Sequence, residues 1–416
     1  MPLVVRRVVR HVLLAIGVMA AVGVASLAAP RPARAASLVE VTGFGSNPSG
    51  LRMYLYVPDT VAAHPAVLVA VHYCTGSGPA FFSGTEFASL ANQFGFIVIY
   101  PSATRSGSCF DVSSPQALRR NGGSDPVGIR SMVSYVIANR GADASRVYVT
   151  GASSGAMMTN VLLGDYPDVF VAGAAFMGVP FGCFATTDGS MWNSTCADGN
   201  SIKTAQQWGD IARAAFPGYS GPRPRMQLWH GTADATLRYP NFGEEIKQWT
   251  NVLGVSQTPA FTDHPQSTWT RTRYGGAGTA APVEAISIQG VGHSLPTSGM
   301  AAMAIHFFGL DVGGGGGDDG GDDGGGDDGG GDAGGTPVVT ITNDWGAGYC
   351  AALTVTNDTS SAITWQVTIS IQGTIANMWN ATYSQSGAQV TIAGVDWNGT
   401  LQPGQSTSSA GFCATR

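Results

Sequence analysis

The residues with the clearest chemical potential lie at 151–155, which read Gly-Ala-Ser-Ser-Gly and place Ser153 at the centre of a G-x-S-x-G pattern. A β-branched and aromatic stretch at 147–149 precedes the pattern, and an apolar stretch at 156–163 follows it. This order predicts a strand-to-helix turn that exposes the serine oxygen near the positive end of the helix. Small residues on both sides of the serine let the backbones of the strand and the helix pass close together. We therefore interpret Ser153 as a nucleophile on an elbow.

A serine hydroxyl needs a base to take its proton, and that base needs an acid to orient it. In strand-to-helix elbow enzymes the acid and then the histidine follow later strands along the chain. Asp234 comes shortly after a predicted strand at 225–229, and His293 follows the predicted last strand at 283–288. The order and spacing predict that Ser153, Asp234 and His293 form a triad for acyl transfer.

Acyl transfer also produces a negatively charged oxygen that needs two backbone N–H donors. We expect one donor from Ser154, directly after the nucleophile, and the other from the loop at 72–78. Within that loop we favour the N–H of Cys74, with Tyr73 as the alternative. The aromatic residues that could line the acyl pocket, or could equally belong to the core, are Tyr73, Phe110 and Trp229.

The elements that must position these residues alternate between strands and helices. Continuous apolar runs at 66–72 and 96–100 predict strands buried on both faces, with a helix at 87–94 between them. Asp125 is the predicted N-cap of a further helix, with Pro126 at its first position. The alternation predicts an α/β fold with a mostly parallel sheet. The other predicted elements are a hairpin at 38–41 and 51–57, strands at 147–149, 169–177, 225–229 and 283–288, and helices at 244–253 and 299–308.

Residues 1–35 are interpreted as a signal peptide. Arginines precede an apolar run at 12–29, and residues 33–35 read Ala-Arg-Ala, a small-residue cleavage site. A membrane anchor is the alternative, because the run is nearly long enough to span a bilayer. We favour removal of the segment and secretion of a protein with no later membrane span.

Export places the six cysteines in an oxidising compartment. Six cysteines allow fifteen pairings, and only three remain if no bridge crosses the linker described below. No pair of cysteines or histidines has the spacing of a metal site, so we expect no metal and no cofactor. Sequence proximity favours the pairs Cys74–Cys109, Cys183–Cys196 and Cys350–Cys413.

Residues 313–335 are almost entirely glycine and aspartate and predict a flexible linker between regions 36–312 and 336–416. Calcium binding is an alternative, but calcium-binding repeats also need a periodic apolar residue that this stretch lacks. Without the five arginines of the signal, 16 basic residues face 27 acidic ones, giving a net charge near −11. This acidic balance argues against a nucleic-acid partner.

The last region, 336–416, has a different pattern. Alternating stretches at 338–342, 353–357, 365–371 and 389–392 are separated by glycine, asparagine and serine turns, with no helical segment visible. Short alternating strands with regular turns predict a small β-sandwich.

Six motifs lie at 72–78, 109–114, 151–160, 166–170, 230–234 and 290–293. Together they resemble secreted acetylxylan esterases of carbohydrate esterase family 1, which are related to feruloyl esterases and extracellular polyhydroxybutyrate depolymerases. The resemblance covers roughly residues 38–310. It implies an α/β-hydrolase fold and release of acetate from O-acetylated xylose units, with Ser153, Asp234 and His293 as the triad.

Region 336–416 resembles a family 2 carbohydrate-binding module in its tryptophan motifs at 343–345, 364–365, 377–381 and 396–399. The resemblance implies that Trp345, Trp379 and Trp397 form a planar strip on which sugar rings stack, while Trp365 belongs to the core. No cysteine opens this region, in contrast to the family pattern, and Cys350 lies further in.

We therefore expect a secreted serine esterase that deacetylates xylan and is held on cellulose or xylan of the plant cell wall by its module. The alternative enzymes are a feruloyl esterase and a polyhydroxybutyrate depolymerase. A non-catalytic wall-binding protein is the alternative from another class, although the intact order of the triad argues against it.

Overall fold

The computed structural model describes residues 36–294, 296–297, 299–311, 335–344, 346–357, 359, 361–395, 397–403 and 405–416. The predicted signal peptide at 1–35 lies outside the described residues. The predicted linker does too, apart from Gly335. No helix among the described residues combines the length and apolar character needed to cross a bilayer.

Within the described residues, a ten-stranded sheet organises the region before the linker. Its order is β1-β2-β4-β3-β5-β6-β7-β10-β9-β8. The six central strands, from β4 to β10, are parallel, and the outer strands at both edges pair antiparallel. The predicted mostly parallel sheet is therefore confirmed. The strands are β1 (Val39–Val41), β2 (Arg52–Tyr56), β3 (Val67–Val71), β4 (Ile97–Ser102), β5 (Val147–Ala152), β6 (Ala172–Phe176), β7 (Arg225–Gly231), β8 (Phe261–Asp263), β9 (Trp269–Tyr274) and β10 (Val283–Ile288).

Two separate hydrophobic cores cover the two faces of this sheet. Val67 and Val69 of β3 belong to one core, and Leu68 of the same strand belongs to the other. Successive side chains of a strand point to opposite faces, so a central strand covered on both sides is apolar throughout. The helices are α1 (Gly78–Gly84), α2 (Phe87–Phe94), α3 (Asp125–Arg140), α4 (Ser154–Asp165), α5 (Ser194–Ala197), α6 (Ala205–Arg213), α7 (Pro240–Val252) and α8 (Met300–Phe308).

The start of α3 differs from the prediction by one residue. Ser124 is the N-cap, and Asp125 is the first helical residue. The buried Asp125 carboxylate instead accepts two hydrogen bonds from Arg105, at 2.5 and 2.6 Å. This long-range ion pair removes the carboxylate from capping, which sequence pattern alone did not reveal. Among the helices and strands before the linker, the sequence did not predict α1, α5, α6, β8 and β9.

The region after the linker is built from antiparallel strands around its own core. A four-stranded sheet has the order β11-β12-β19-β15, and a three-stranded sheet has the order β14-β17-β16. The predicted all-β region is confirmed, and Trp365 is fully buried in its core. The strands are β11 (Thr336–Asp344), β12 (Gly348–Thr356), β13 (Ile363–Thr364), β14 (Gln366–Ser370), β15 (Thr374–Trp379), β16 (Ala381–Ser386), β17 (Gln389–Gly394), β18 (Thr400–Leu401) and β19 (Ser406–Thr415).

Candidate active site

Ser153 lies between β5 and α4 with φ 55° and ψ −116°, a strained conformation for a residue with a side chain. Its backbone N–H donates to the carbonyl of Phe176 at 3.0 Å, which fixes the turn to β6. Gly155 is required at its position, because a Cβ there would lie 2.1 Å from the carbonyl oxygen of Val71. The backbone of the elbow thus packs directly against the end of β3, as the small residues of the motif predict.

The side chains of Ser153, Asp234 and His293 meet at the carboxyl ends of β5, β7 and β10. His293 Nε2 lies 2.8 Å from Ser153 Oγ, and His293 Nδ1 lies 2.6 Å from Asp234 Oδ2. An ionised carboxylate only accepts hydrogen bonds, so Nδ1 carries the proton and Nε2 presents a lone pair to the serine hydroxyl. The structure therefore brings together, in a reactive order, the three residues that the sequence proposed.

The Asp234 carboxylate is held by its own loop. Its Oδ1 accepts the backbone N–H groups of Thr236 and Leu237 at 2.8 and 2.9 Å. Burial acts to raise the pKa of Asp234, but hydrogen bonds from His230 and His293 outweigh burial and hold that pKa well below its usual range. His293 Nδ1 is the closer of the two donors, at 2.6 Å, whereas His230 Nε2 lies 3.4 Å from the carboxylate and is nearer to the carbonyl of Leu237. Asp234 is therefore ionised at neutral pH.

His230 is a site residue to which the sequence analysis gave no role. Its Nε2 donates to the carbonyl of Leu237 at 2.7 Å, and the side chain is fully buried beside Tyr239 and Phe242. It closes the loop whose N–H groups hold Asp234. Its position four residues before Asp234, at the end of a strand, is the sequence signal that could have indicated this role.

The loop after β3 lies beside the elbow. The N–H of Thr75 donates to the carbonyl of Gly107 at 2.7 Å, and a disulfide joins Cys74 to Cys109. In the part of the chain that the structure describes, the N–H groups of Cys74 and Ser154 have no hydrogen-bond acceptor. Ser154 is also the first residue of α4, where N–H groups are free by geometry. Both groups are available to a ligand.

The three aromatic residues considered for an acyl pocket differ in how deeply they are buried. Phe110 and Trp229 are fully buried, Phe110 against His72 and Trp229 between Phe176 and Trp269. Tyr73 is only half-buried. Of the three, only Tyr73 has surface to offer a substrate. The structure contains the three disulfide pairings favoured by sequence proximity, Cys74–Cys109, Cys183–Cys196 and Cys350–Cys413.

Two of the three tryptophans proposed for polysaccharide binding are described. Trp379 at the end of β15 and Trp397 after β17 are both half-buried, in contrast to the fully buried Trp365. The Trp379 ring packs on Gly411, where a Cβ would lie 2.3 Å from the ring. Trp345 lies outside the described residues. Across the described chain, no three histidine, cysteine, aspartate or glutamate side chains are clustered as metal ligands would be.

Comparisons with known proteins extend these observations. The family profile described as "Esterase PHB depolymerase" matches residues 51–201, and the profile described as "Cellulose binding domain" matches residues 336–416. "Feruloyl esterase B" of Talaromyces stipitatus is 47% identical over 282 residues, which cover 67% of this chain and 77% of that relative. "Acetylxylan esterase A" of Aspergillus ficuum is 46% identical over 271 residues, covering 64% and 88%.

A solved structure shares the fold of the region before the linker. "Acetyl xylan esterase from Aspergillus awamori" superposes with a TM-score of 0.62 at 45% identity, covering 66% of this chain and 99% of that one. The region before the linker therefore has the α/β-hydrolase fold that the sequence predicts.

Proposed function

Because this chain belongs to the family of acetylxylan esterases and feruloyl esterases, we propose that it removes O-acetyl groups from xylan through an acyl-enzyme formed on Ser153. The chain is an ester hydrolase directed to polysaccharide, with a cellulose-binding module after the linker. The observation that carries the catalytic assignment is the hydrogen-bonded chain from Ser153 Oγ through His293 to Asp234.

The proposed reaction begins when His293 Nε2 takes the proton of Ser153 Oγ as that oxygen attacks the acetyl carbonyl carbon. The backbone N–H groups of Ser154 and Cys74 then hold the negative oxygen of the tetrahedral intermediate. The bond between the acetyl carbonyl carbon and the xylose oxygen then breaks, and the proton on His293 passes to that oxygen. The sugar leaves with a free hydroxyl, and the acetyl group remains on Ser153 Oγ as an ester.

Water completes the proposed cycle. His293 Nε2 takes a proton from a water molecule, whose oxygen attacks the acetyl-enzyme. The second tetrahedral intermediate breaks to acetate, and the proton returns to Ser153 Oγ. Throughout, Asp234 remains ionised, holds His293 Nδ1–H and stabilises the imidazolium formed in each half-reaction. No step calls for a metal or an organic cofactor.

The proposed domain organisation follows the sequence. A signal peptide at 1–35 directs secretion, residues 36–312 form the esterase domain, residues 313–335 link the domains, and residues 336–416 bind polysaccharide. Three disulfides support an extracellular location, because such bonds persist in oxidising compartments. The module would bind cellulose or xylan through Trp345, Trp379 and Trp397.

The decisive experiment compares acetate release from acetylated xylan with ferulate release from methyl ferulate. We expect acetate release to be faster by at least about tenfold in kcat/KM, a difference of about 1.4 kcal/mol in transition-state binding. Faster release of ferulate would overturn the proposed acyl preference without affecting the triad. The feruloyl alternative deserves this direct test because relatives of both names are 46–47% identical to the chain.

Two further measurements address the remaining alternatives. Clearing of a polyhydroxybutyrate suspension would favour a depolymerase, which the match at 51–201 makes worth testing. Labelling by a serine-directed fluorophosphonate, lost in Ser153→Ala, is expected of an active esterase. A folded wild-type protein that does not label would favour the non-catalytic alternative.

A further inference from the structure

The peptide unit between Tyr73 and Cys74 is held in an unusual way. Its carbonyl oxygen accepts a hydrogen bond from His72 Nδ1 at 2.6 Å and another from the N–H of Gly76 at 3.1 Å. Two donors on one loop carbonyl, one of them a buried side chain, define the direction of that carbonyl. The N–H of the same peptide unit belongs to Cys74.

The partners of His72 also define its tautomer. The backbone N–H of Ala103, directly after β4, donates to His72 Nε2 at 3.1 Å, so Nε2 carries no proton. The proton is therefore on Nδ1, where it can be donated to Tyr73. Burial lowers the pKa of His72 to about 4, so this neutral form persists at neutral pH. The ring is fixed further by packing on Phe110, with centroids 4.7 Å apart.

Planarity transmits this constraint to Cys74. A trans peptide unit is rigid, and its C=O and N–H point in opposite directions. Every described peptide bond is trans. Fixing the Tyr73 carbonyl therefore fixes the Cys74 N–H, which has no acceptor among the described residues. The hydrogen bond from the Thr75 N–H to the Gly107 carbonyl and the disulfide from Cys74 to Cys109 hold the adjacent chain in place. The whole peptide unit therefore cannot rotate.

The direction of the Cys74 N–H matters because the loop that carries it lies beside the elbow. The carbonyl oxygens of Val71 and His72 lie against Gly155, which follows the nucleophile by two residues, as shown by the 2.1 and 2.7 Å that would separate them from a Cβ there. The loop that carries Cys74 is thus pressed against the first turn of α4, where the N–H of Ser154 is also free.

We propose that His72 is a positioning residue whose Nδ1–H, by holding the Tyr73 carbonyl, aims the Cys74 N–H at the oxyanion. His72 itself does not touch the substrate. The inference rests on the proposed function, because it assigns Cys74 as one of the two oxyanion donors. Its consequence is that loss of His72 weakens stabilisation of the transition state more than binding of the ground-state ester.

The first test compares His72→Leu, which fills the space but donates nothing, with His72→Asn, whose amide nitrogen can replace Nδ1 as donor. On 4-nitrophenyl acetate we expect His72→Leu to lose about 10- to 100-fold in kcat with KM within about threefold, below the loss seen when an oxyanion donor is deleted. His72→Asn should stay within about fivefold of wild type. A trifluoromethyl ketone, whose adduct carries the oxyanion, should lose affinity for His72→Leu in proportion to kcat/KM.

The second test perturbs the same carbonyl without changing the histidine. A Cβ on Gly76 would lie 2.9 Å from Tyr73 O and 3.2 Å from His72 Nδ1, so Gly76→Ala should displace that contact. We expect a loss of about tenfold in kcat. Gly84→Ala is the matched control, because a Cβ there meets nothing within 4 Å, and it should keep wild-type kcat. If His72→Leu fails to fold, the comparison of Gly76→Ala with Gly84→Ala still tests whether the Tyr73 carbonyl must be held in place.

The outcomes separate the inference from the proposed function. If folded His72→Leu or Gly76→Ala keeps wild-type kcat while Ser153→Ala is inactive, the role of His72 is wrong and the serine mechanism stands. Equal losses in folded His72→Leu and His72→Asn would also overturn it, because the donor would then be irrelevant. Hydrolysis that persists in Ser153→Ala would instead remove the proposed function itself.

Discussion

The esterase site and the carbohydrate-binding module hold the side chains proposed to act in them in different ways. In the esterase site, Ser153, His293 and Asp234 are joined by hydrogen bonds of 2.8 and 2.6 Å, and the acid is held by two more backbone donors. In the module, Trp379 and Trp397 are half-buried side chains on a small β-sandwich. The first arrangement fixes individual atoms, and the second presents aromatic surface.

The difference follows from what each region has to recognise. Acyl transfer needs donors and a base placed within a few tenths of an ångström of the position where charge develops. A polysaccharide surface offers repeated sugar faces, so stacking tolerates small displacements. Substitutions in the esterase site should therefore change kcat by orders of magnitude, whereas substitutions in the module should change affinity modestly and leave chemistry intact.

The largest expected effect is that of Ser153→Ala. Without the nucleophile, kcat on 4-nitrophenyl acetate should fall by at least about 10⁴-fold. Binding to cellulose, measured by depletion from solution, should be unchanged because the module is untouched. Loss of cellulose binding in this variant would show that the two regions do not function independently.

Asp234→Asn should have the next largest effect. The amide cannot hold His293 Nδ1–H as a carboxylate does, so the imidazole adopts the wrong tautomer, and kcat should fall by about 10²- to 10⁴-fold with little change in KM. Asp210→Asn is the control, since the side chain of this exposed residue of α6 pairs, among the described residues, only with neighbours on its own helix. A loss of less than tenfold in folded Asp234→Asn would contradict the assignment of the acid.

Trp379→Ala tests the module. Removing one stacking surface should weaken cellulose binding by about tenfold, or about 1.4 kcal/mol, within the ~0.5–1.5 kcal/mol typical of a favourable aromatic contact. The kcat on a soluble ester should not change. Tyr383→Ala, an exposed aromatic residue of β16, is the matched control. If both variants bind as wild type does, the binding strip lies elsewhere on the module.

The smallest expected effect concerns stability beneath the elbow. Glu245 of α7 is fully buried; its Oε1 accepts a hydrogen bond from Asn160 of α4 at 2.8 Å, and burial raises its pKa to about 8. Between pH 5 and 8 the unfolded chain ionises this group while the folded chain keeps it protonated, so its contribution to stability is lost as pH rises.

Glu245→Gln removes that titration. The free energy of unfolding of the variant, relative to wild type, should therefore be higher at pH 8 than at pH 5 by at least about 1 kcal/mol. Denaturant titrations at the two pH values measure this difference. The control, Glu40→Gln, should show none in this window, because the ion pair with Arg52 holds the pKa of Glu40 below its usual range. An equal effect at both pH values would show that Glu245 does not titrate between them.

The sequence alone indicated the parts of this protein that depend on local pattern. The elbow at 151–155, the alternating strands and helices, and the order of Ser153, Asp234 and His293 can be read from residue type and spacing, because strand and helix periods are local properties. Parallel strands then bring their carboxyl ends to one edge of the sheet, so residues that follow strands were expected to meet.

Tertiary structure decided what depends on partners distant in the chain. Asp125 looked like an N-cap, but Arg105, twenty residues earlier, takes its carboxylate. Phe110 and Trp229 could have lined a pocket, but neighbouring elements bury them completely. His72 and His230 had no predicted role, because the carbonyl and loop that each holds become partners only after the chain folds. Pattern specifies which elements form, whereas the packing of those elements specifies which polar groups are close enough to act.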